Sequence, residues 1–452
     1  MRFETRLLVC RAGFVVFCLL PTMVVGAWII WRSSAPAAFD KAQWERELTT
    51  YLGLVAEIGQ IECPRPGLTR LGGLRLLEPD TGIIVAEVHQ VDVTETAGGW
   101  QIAPAQLFID GNQLALVSRT IDERILRLPI TAASGWQAIH VSIEPHDGLI
   151  RLSGSDQTLQ QLGGEVELLS NSARFELSFG FPSAAHAAGL VRLSAIRDRT
   201  ESRGRTLWHL NTNGAAIPCH LLASLTPDLA ALGRDCQFTG VAQLCRSQGE
   251  TAGLVVGTLT QVDLDALVSE QFSHVLSGLA KVRIDKGLIE RSKLVELRGE
   301  VEAQSGAISR SLVTAAIGHL GLVASPESGQ GTAAIIPFRR LAMSFHLSGK
   351  SLALAGGADP VTGGALLANA AGPILTAPAD HSIAAVNLLR TLLPENEYQV
   401  PATRQTAGLV QLLPAPDIVS TKAAHAAAHT PARLAPASRD PLPTAVRQPL
   451  LR

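Results

Sequence analysis

The sequence is poor in aromatic residues, which make up 4% of 452 positions, although 46% of the residues are hydrophobic. Glycine is abundant, with 40 residues, and many of the apolar residues are β-branched. A long chain of this composition favours repeated strands and turns over the core of a typical enzyme.

Neither charge sign is in large excess, because the formal net charge is −2 and charged residues are 17% of the chain. Nucleic-acid binding requires a concentrated basic surface, which this balance does not indicate. We therefore expect no nucleic-acid partner.

Recognisable catalytic and cofactor motifs are also missing. The sequence has no G-x-S-x-G elbow, no H-E-x-x-H helix, no G-x-x-x-x-G-K-[ST] loop and no G-x-G-x-x-G after a strand. We therefore predict a protein that is not an enzyme and that holds no cofactor. A hydrolase is an alternative function, because Asp263 and Asp265 would lie on the same face of a strand and could act as paired carboxylates. The alternative is a strand-to-helix boundary, with Asp265 as the cap.

One long hydrophobic run is present, at residues 12–31. Its 20 residues, AGFVVFCLLPTMVVGAWIIW, include no charge. A helix of this length, rising about 1.5 Å per residue, matches a hydrocarbon core of about 30 Å. Three arginines precede the run against one glutamate, which predicts that residues 1–11 stay in the cytoplasm and the rest is exported.

The alternative for this run is a cleaved signal peptide, with Ala35-Pro36-Ala37 as the cleavage site. Signal-peptide cores are usually about 7 to 15 residues, whereas this run is longer and ends in tryptophans. Both interpretations place the remaining chain outside the cytoplasm. No second run of comparable length follows, which excludes a multi-span transporter.

We divide the exported part into three segments. Residues 32–52 form a linker and an amphipathic helix, Lys41–Leu52, with Asp40 as its cap. Residues 53–413 form the β-rich body. Residues 414–452 are rich in Ala and Pro and have few large apolar side chains, so we expect them to be disordered.

Alternating apolar and polar residues dominate the body and predict half-buried strands. The clearest examples are ARFELSFGF and RLAMSFHLSG, whose apolar side chains are Phe175, Leu177, Phe179, Leu341, Met343 and Phe345. Turn residues between such runs predict a long antiparallel meander joined by tight hairpins. The predicted turns are Asp110-Gly111, Asp147-Gly148, Lys286-Gly287 and Ser348-Gly349.

Two later segments have apolar residues at helical spacing. One runs from Gly306 to Leu322 with Ser305 near its cap, and the other runs from Asp380 to Pro394. We expect these helices to cover part of the sheet.

Four cysteines, Cys63, Cys219, Cys236 and Cys245, would lie in an oxidising compartment. Their spacing lacks the C-x-x-C pairs of a zinc site, so we expect no metal. Cys236 and Cys245 flank a short, hairpin-like stretch, so one interpretation is a local disulfide between them. The other interpretation is free buried thiols.

Two stretches of the body resemble the AsmA-like proteins of two-membrane bacteria. The first, IGQIECPRPGLTRLGGLRLLEPDTGIIVAEVHQVDV, is similar to the opening unit of that family. The second, FSHVLSGLAKVRIDKGLIERSKLVELRGEVEAQSGAI, resembles its C-terminal unit and continues in FRRLAMSFHLSGKSLALAG. The resemblance covers the ends of the body better than residues 94–257.

This resemblance implies a single-pass inner-membrane protein with a periplasmic body that acts in outer-membrane or cell-envelope biogenesis. Larger members form grooved β-structures associated with lipid transport, so membrane lipids, and other envelope proteins, are the implied partners. A curled sheet lined by the six apolar residues above would offer acyl chains an apolar trough. The competing interpretation makes those residues the protein core. A structural or adaptor protein that recruits partners through sheet edges is the alternative function.

Overall fold

The computed structural model describes ten ranges of the chain: 36–96, 99–128, 138–152, 155–182, 189–200, 204–247, 250–325, 333–357, 364–379 and 381–393. The predicted membrane-spanning run, the cytoplasmic tail before it and the C-terminal tail all lie outside these ranges. Across the described part of the chain, no helix has the length and apolar character needed to cross a membrane.

The described residues are mainly β-structure, arranged in one long mixed sheet and one small sheet, with few helices. The strands are β1 Val55–Glu57, β2 Gln60–Arg65, β3 Leu68–Leu77, β4 Ile84–Thr96, β5 Gly99–Asp110, β6 Ala138–Leu152, β7 Ser155–Leu169, β8 Ser172–Gly180, β9 Val191–Asp198, β10 Thr206–Asn211, β11 Ile217–Pro218, β12 Gln237–Ser247, β13 Glu250–Asp263, β14 Leu276–Ser277, β15 Leu279–Glu290, β16 Lys293–Ala303, β17 Gly306–Ser309, β18 Val323–Ala324, β19 Ile335–Phe338, β20 Arg340–Ser348, β21 Ser351–Gly356, β22 Ala365–Ala368, β23 Pro373–Thr376 and β24 Ser382–Ala384.

The helices are short and separate groups of strands. The α-helices are α1 Pro36–Leu52, α2 Leu114–Glu123, α3 Cys219–Ala223, α4 Arg310–Leu320 and α5 Val386–Leu392. Short 3-10 turns occur at Gly111–Gln113, Ile125–Arg127 and Pro227–Leu232, and a π-helical turn occurs at Asp265–Ser269.

Strands of the long sheet follow one another nearly in chain order. From β3 to β10 each strand pairs with the next, and the order continues through β12, β13, β15, β16 and β20. β1 and β2 both pair with β3, whereas β21 and β22 both pair with β20. The predicted antiparallel meander is therefore largely present, and β14, β17 and β19 form the small sheet.

One pairing, between β5 and β6, is parallel, so the sheet is mixed. The sequence predicted a hairpin at Asp110-Gly111, and this prediction is wrong. Instead, the Asp110 carboxylate accepts a hydrogen bond from the Asn112 N–H at 2.9 Å and caps the 3-10 turn that leads into α2. The chain then returns by a crossover, which a parallel pair requires.

Two further predicted turns lie inside strands. Asp147-Gly148 is within β6 and Lys286-Gly287 is within β15, and in both places the pairing register shifts. Glycine accommodates such bulges because it has no side chain to pack and few backbone restrictions. The fourth prediction is confirmed: β20 and β21 form a hairpin at Ser348-Gly349, with Gly349 at φ +55°.

Helix boundaries differ from the predictions. α1 begins at Pro36, so Asp40 lies inside the helix and does not cap it. Residues 306–309 form β17 and pair with β19, and α4 starts only after Ser309, whose Oγ accepts from the Leu312 N–H at 3.3 Å. The last helix is shorter than predicted because β24 precedes it, and Asp380 lies outside the described residues. The sequence did not predict α2 or α3.

Register places most large apolar side chains on one side of the long sheet, which we call the apolar face. Because residues that are directly opposite in a ladder share a face, this face can be followed from strand to strand. It runs through Leu177, Leu193 and Leu210 and continues through Val255 and Leu297. The other side of the sheet is called the opposite face.

Candidate functional site

All six residues predicted to line a trough lie on the apolar face. Phe175 and Leu177 reach it on β8, and the ladder through β13 and β16 brings Met343 and Phe345 to the same side on β20. Their burial differs. Phe175 is 6% exposed, whereas Leu177, Phe179, Leu341, Met343 and Phe345 are half-buried. Phe175 is therefore a residue of the protein core and does not line an open trough.

A separate segment of chain covers the apolar face over β7, β8 and β9. Leu126, in the 3-10 turn after α2, is 0% exposed and packs with Phe175 and Ala195. α2 itself has an apolar side that faces the same cluster through Ile121. We call α2 and the 3-10 turn Ile125–Arg127 the cover.

Buried polar contacts attach the cover to the sheet. The Thr206 hydroxyl donates to the carboxylate of Asp122 at 2.5 Å, and both side chains are at least 95% buried. The Arg197 guanidinium donates to the Thr206 Oγ1 at 2.8 Å and lies 3.6 Å from the Asp122 carboxylate. Burial and the nearby Arg127 charge lower the pKa of Arg197, and the Asp122 carboxylate offsets part of this lowering. The guanidinium stays charged at neutral pH because its ordinary pKa is very high.

Arg199 forms a second attachment. Its Nη2 and Nε donate to the Leu126 carbonyl at 2.9 and 3.2 Å, and its Nη1 donates to the Leu169 carbonyl at 3.0 Å. One side chain therefore joins the cover to the end of β7. Burial lowers the pKa of Arg199, so the carbonyl oxygens it binds replace the water it has lost.

Further along the sheet, the apolar face is only half-buried. Six side chains on β10, β12, β13, β15 and β16 define this region, which we call the apolar strip. They are Trp208, Leu210, Leu244, Val255, Ile289 and Leu297. Each keeps part of its surface exposed to solvent. Trp208 also packs against the covered cluster, and Leu210, Val255 and Leu297 pack against the largest buried cluster. The strip therefore offers apolar surface that the described chain leaves accessible.

One end of the strip is closed by aromatic rings that lie over glycines. A Cβ added at Gly257 would meet the Phe238 ring at 2.7 Å, and one added at Gly299 would meet the Phe345 ring at 2.9 Å. The missing side chains thus make room for the rings. Phe238 is 5% exposed and belongs to the largest buried cluster, together with Leu312 of α4.

The strip is long enough for an acyl chain. Five strands at about 4.8 Å spacing extend about 19 Å, whereas one leaflet of a bilayer about 30 Å thick holds acyl chains about 15 Å long. The strip is therefore compatible with one extended acyl chain that lies across the strands.

The opposite face of the same strands carries a concavity of about 740 Å³ with a different chemistry. Five titratable side chains line it from β15, β16 and β20: Arg283, Asp285, Arg298, Glu300 and His346. Arg283 is within 3.1 Å of the Asp285 carboxylate and 2.8 Å of the Glu300 carboxylate. These carboxylates are neutralised by a neighbouring cation, which does not favour paired acid and base catalysis.

An adjacent ion pair extends this charged surface. The Lys286 ammonium lies 2.6 Å from the Glu296 carboxylate, and the His346 Nε2 lies 3.6 Å from it. The hydrogen bond from Lys286 holds the pKa of Glu296 below its ordinary value of 4.5. The carboxylate is therefore ionised at neutral pH.

Asp263 and Asp265 form a local turn. The Asp263 carboxylate accepts from the Asp265 N–H at 2.9 Å, at the start of the π-helical turn. The strand-to-helix boundary is thus present, but the carboxylate that accepts a hydrogen bond there belongs to Asp263 and not to Asp265 as predicted.

A buried histidine and two serines form a contact that the sequence did not predict. His274 is 5% exposed, and its Nδ1 lies 2.9 Å from the Ser311 Oγ. The Ser311 Oγ also lies 3.0 Å from the Ser309 Oγ. The contact therefore links His274 to the serine that caps α4.

The predicted disulfide between Cys236 and Cys245 is wrong. All four described cysteines, Cys219 included, are free thiols, and no hairpin lies between Cys236 and Cys245, because residues 237–247 form the single strand β12. Nine steps of about 3.3 Å separate their Cα atoms by about 30 Å, whereas a disulfide requires less than about 7 Å. Cys63 is exposed, and Cys219 is buried beside Cys236. Among the described residues, no group of three or more His, Cys, Asp or Glu could hold a metal ion.

Comparison with known proteins finds no matching family model, curated protein or solved structure. The resemblance to AsmA-like proteins therefore stays a prediction from the sequence.

Proposed function

We propose that this protein is a membrane-anchored cell-envelope protein that binds or guides lipid acyl chains on the apolar strip, without enzymatic activity. The observation that carries the proposal is the half-buried row of apolar side chains across five strands. Elsewhere on the same face, the cover buries comparable side chains fully.

Transfer of methylene groups from water would stabilise an acyl chain bound on the strip. Each CH₂ that the strip removes from water contributes about 0.8 kcal/mol, so even a partly covered chain binds measurably. The half-buried side chains of the strip belong to strands held by neighbours on both sides. The binding surface is therefore largely pre-formed, which lowers the entropy that binding must overcome.

Placement at a membrane is part of the proposal. The run at residues 12–31, with arginines before it, would hold the body at the outer surface of an inner membrane. A curled, groove-like sheet, as implied by the AsmA-like resemblance, would bring this surface around an acyl chain. The periplasm is the compartment that this topology implies.

Lipid mass spectrometry on the full chain tests the proposal. We expect the purified protein, exchanged into a detergent that does not mimic phospholipid, to retain stoichiometric phospholipid or fatty acid. Val255→Asn places an amide in the strip and should reduce the retained lipid by at least about tenfold, which corresponds to about 1.4 kcal/mol.

The next residue of the strand provides a matched control. Val256 is 39% exposed on the opposite face, so Val256→Asn changes the same strand by the same chemistry without touching the strip. It should retain lipid at the wild-type level. Equal loss in both variants, or a wild-type protein without lipid, would contradict lipid binding at the strip.

A second candidate is the adaptor function. Ile196 and Leu207 are directly opposite each other on the opposite face and are 46% and 43% exposed. Exposed apolar neighbours of this kind occur at protein interfaces. This candidate would be favoured over the first if the purified chain carried no lipid but co-purified with an envelope protein. Leu207→Asn should then abolish the co-purification of that protein.

A further inference from the structure

Two cysteines lie opposite each other at the end of an antiparallel strand pair. β11 and β12 pair Ile217 with Phe238, and the same register continued by two residues brings Cys219 opposite Cys236. The Cys219 N–H donates to the Cys236 carbonyl at 2.8 Å, so the backbone pairing extends to this position. Opposite residues have Cα atoms about 4.5 to 5.5 Å apart, and disulfides need about 4.4 to 6.8 Å.

Both side chains point into the same buried cluster. Cys219 and Cys236 are each 0% exposed and pack in the cluster that contains Phe238 and Val262. The neighbouring Cys236 thiol, together with burial, raises the pKa of Cys219. In the folded chain these thiols are each other's nearest reactive partner, and neither is accessible to an external thiol.

We propose that Cys219 and Cys236 form a disulfide while the chain folds in an oxidising compartment. The bond closes a loop over residues 219–236, which includes α3 and the 3-10 turn Pro227–Leu232. That loop packs against the closed end of the apolar face through Leu222 and Leu232. The inference does not require lipid binding, but it rests on the export of the body that is part of the proposed function, since the thiols need an oxidising compartment.

The reaction is a thiol–disulfide exchange. The Cys219 and Cys236 thiols release two protons and two electrons as their S–S bond forms, and a protein or glutathione disulfide accepts the electrons as its own S–S bond breaks. The exchange occurs before the cluster closes, since the thiolate must reach the oxidant. Burial afterwards protects the bond from reduction.

The experiment uses the full chain with only two cysteines retained. The variant C10S/C18S/C63S/C245S is unfolded, refolded with a mixture of reduced and oxidised glutathione, and then alkylated in denaturant. We expect no alkylation and a mass lower by about 2 Da than that of the reduced chain. Adding a reductant during refolding should also lower the Tm by several degrees, because the unfolded chain loses its cross-link.

A matched control retains the pair predicted from the sequence. The variant C10S/C18S/C63S/C219S keeps Cys236 and Cys245, and it should be alkylated at both thiols, since about 30 Å separates them in β12. Wild-type protein offers a further measurement that does not depend on the variants. Trypsin without reductant should release residues 206–234 joined to residues 235–246, because cleavage follows Arg205, Arg234 and Arg246.

The inference would be overturned if the folded two-cysteine variant were fully alkylated, or if the wild-type digest showed residues 235–246 closed on themselves. It would also be overturned by separate, unlinked peptides from wild-type protein refolded to its native circular dichroism spectrum. Lipid retention is measured separately, so failure of the disulfide and failure of the lipid proposal are distinguishable.

Discussion

The covered and half-buried parts of the apolar face differ in what lies above them, although the same sheet builds both. Over β7 to β9 the cover places Leu126 on Phe175 and leaves both side chains almost inaccessible. Over β10 to β16 the strip presents Leu210, Val255 and Leu297 only half-buried. Whether an apolar row on a strand belongs to the core or stays accessible therefore depends on whether a segment distant in sequence covers it.

The difference also concerns polar groups. The cover needs buried hydrogen bonds, since Asp122 and Arg197 would otherwise lose water without compensation. In contrast, the charged groups on the opposite face of the strip's strands are only partly buried, with side chains 25% to 51% exposed. Stability should therefore depend on the cover much more than on the strip, and ligand binding should show the reverse.

The largest expected effect follows from removing the side chain at the centre of the cover. Leu126→Ala should reduce the free energy of unfolding by about 2 to 5 kcal/mol, because it leaves a cavity against Phe175. Urea denaturation followed by circular dichroism measures this change. Leu225→Ala is the control, since Leu225 is 48% exposed and its truncation should be close to neutral. Equal decreases in the free energy of unfolding of the two variants would show that the cover contributes no more to stability than an exposed residue does.

A smaller effect is expected from the polar attachment of the cover. Thr206→Val keeps the shape of the side chain but removes the hydroxyl that donates to Asp122, at a cost of about 1 to 3 kcal/mol. The same denaturation experiment applies. Thr258→Val, on a half-buried threonine of the opposite face, should change stability by less than about 0.5 kcal/mol. A Thr206→Val chain as stable as wild type would show that the cover does not depend on this bond.

Truncation within the strip should affect stability still less. Leu297→Ala removes a half-buried side chain, so we expect a loss of about 1 kcal/mol in the free energy of unfolding. Lipid retention, however, should fall clearly. If Leu297→Ala destabilised the chain as much as Leu126→Ala, the strip would be ordinary core.

The smallest effect concerns pH and the ion pair on the opposite face. The pKa of Glu296 is lowered on folding, so its contribution to stability is present above its ordinary value of 4.5 and is lost as the pH falls through the folded pKa. Glu296→Gln should therefore flatten the decrease in stability on acidification below about pH 4.5. Denaturation at pH 7 and at pH 3.5 measures the difference. Lys286→Met should have the same effect, and an unchanged acid profile in both variants would contradict the assignment.

The sequence predicted the strands better than their connections. Period-two alternation identified β8 and β20, because a half-buried strand must alternate its side chains. Asp147-Gly148 and Lys286-Gly287 were misassigned as turns because bulges within strands use the same residue types. The crossover after Asp110 escaped prediction because α2 is short and its apolar side faces a sheet formed mostly later in the chain.

For the candidate site, the sequence predicted only which side chains share one face of the sheet. Alternation put Phe175 and Phe345 on the same side correctly, but it could not show that Leu126 covers one of them, since such contacts join distant parts of the chain. Most strip residues, such as Trp208 and Leu244, were not named at all. The proximity of Cys219 and Cys236 likewise depends on the register of β11, a strand of two residues that has no signal of its own.

The measurement that most directly tests the account is photo-crosslinking of the full chain with a fatty acid that carries a diazirine on its acyl chain. The account predicts that the label maps to the strip, at Leu210, Leu244, Val255, Ile289 and Leu297, and that Phe175 and Ala195 beneath the cover stay unlabelled. Equal labelling of Leu254 and Val256 on the opposite face, or labelling of Phe175 and Ala195, would contradict it.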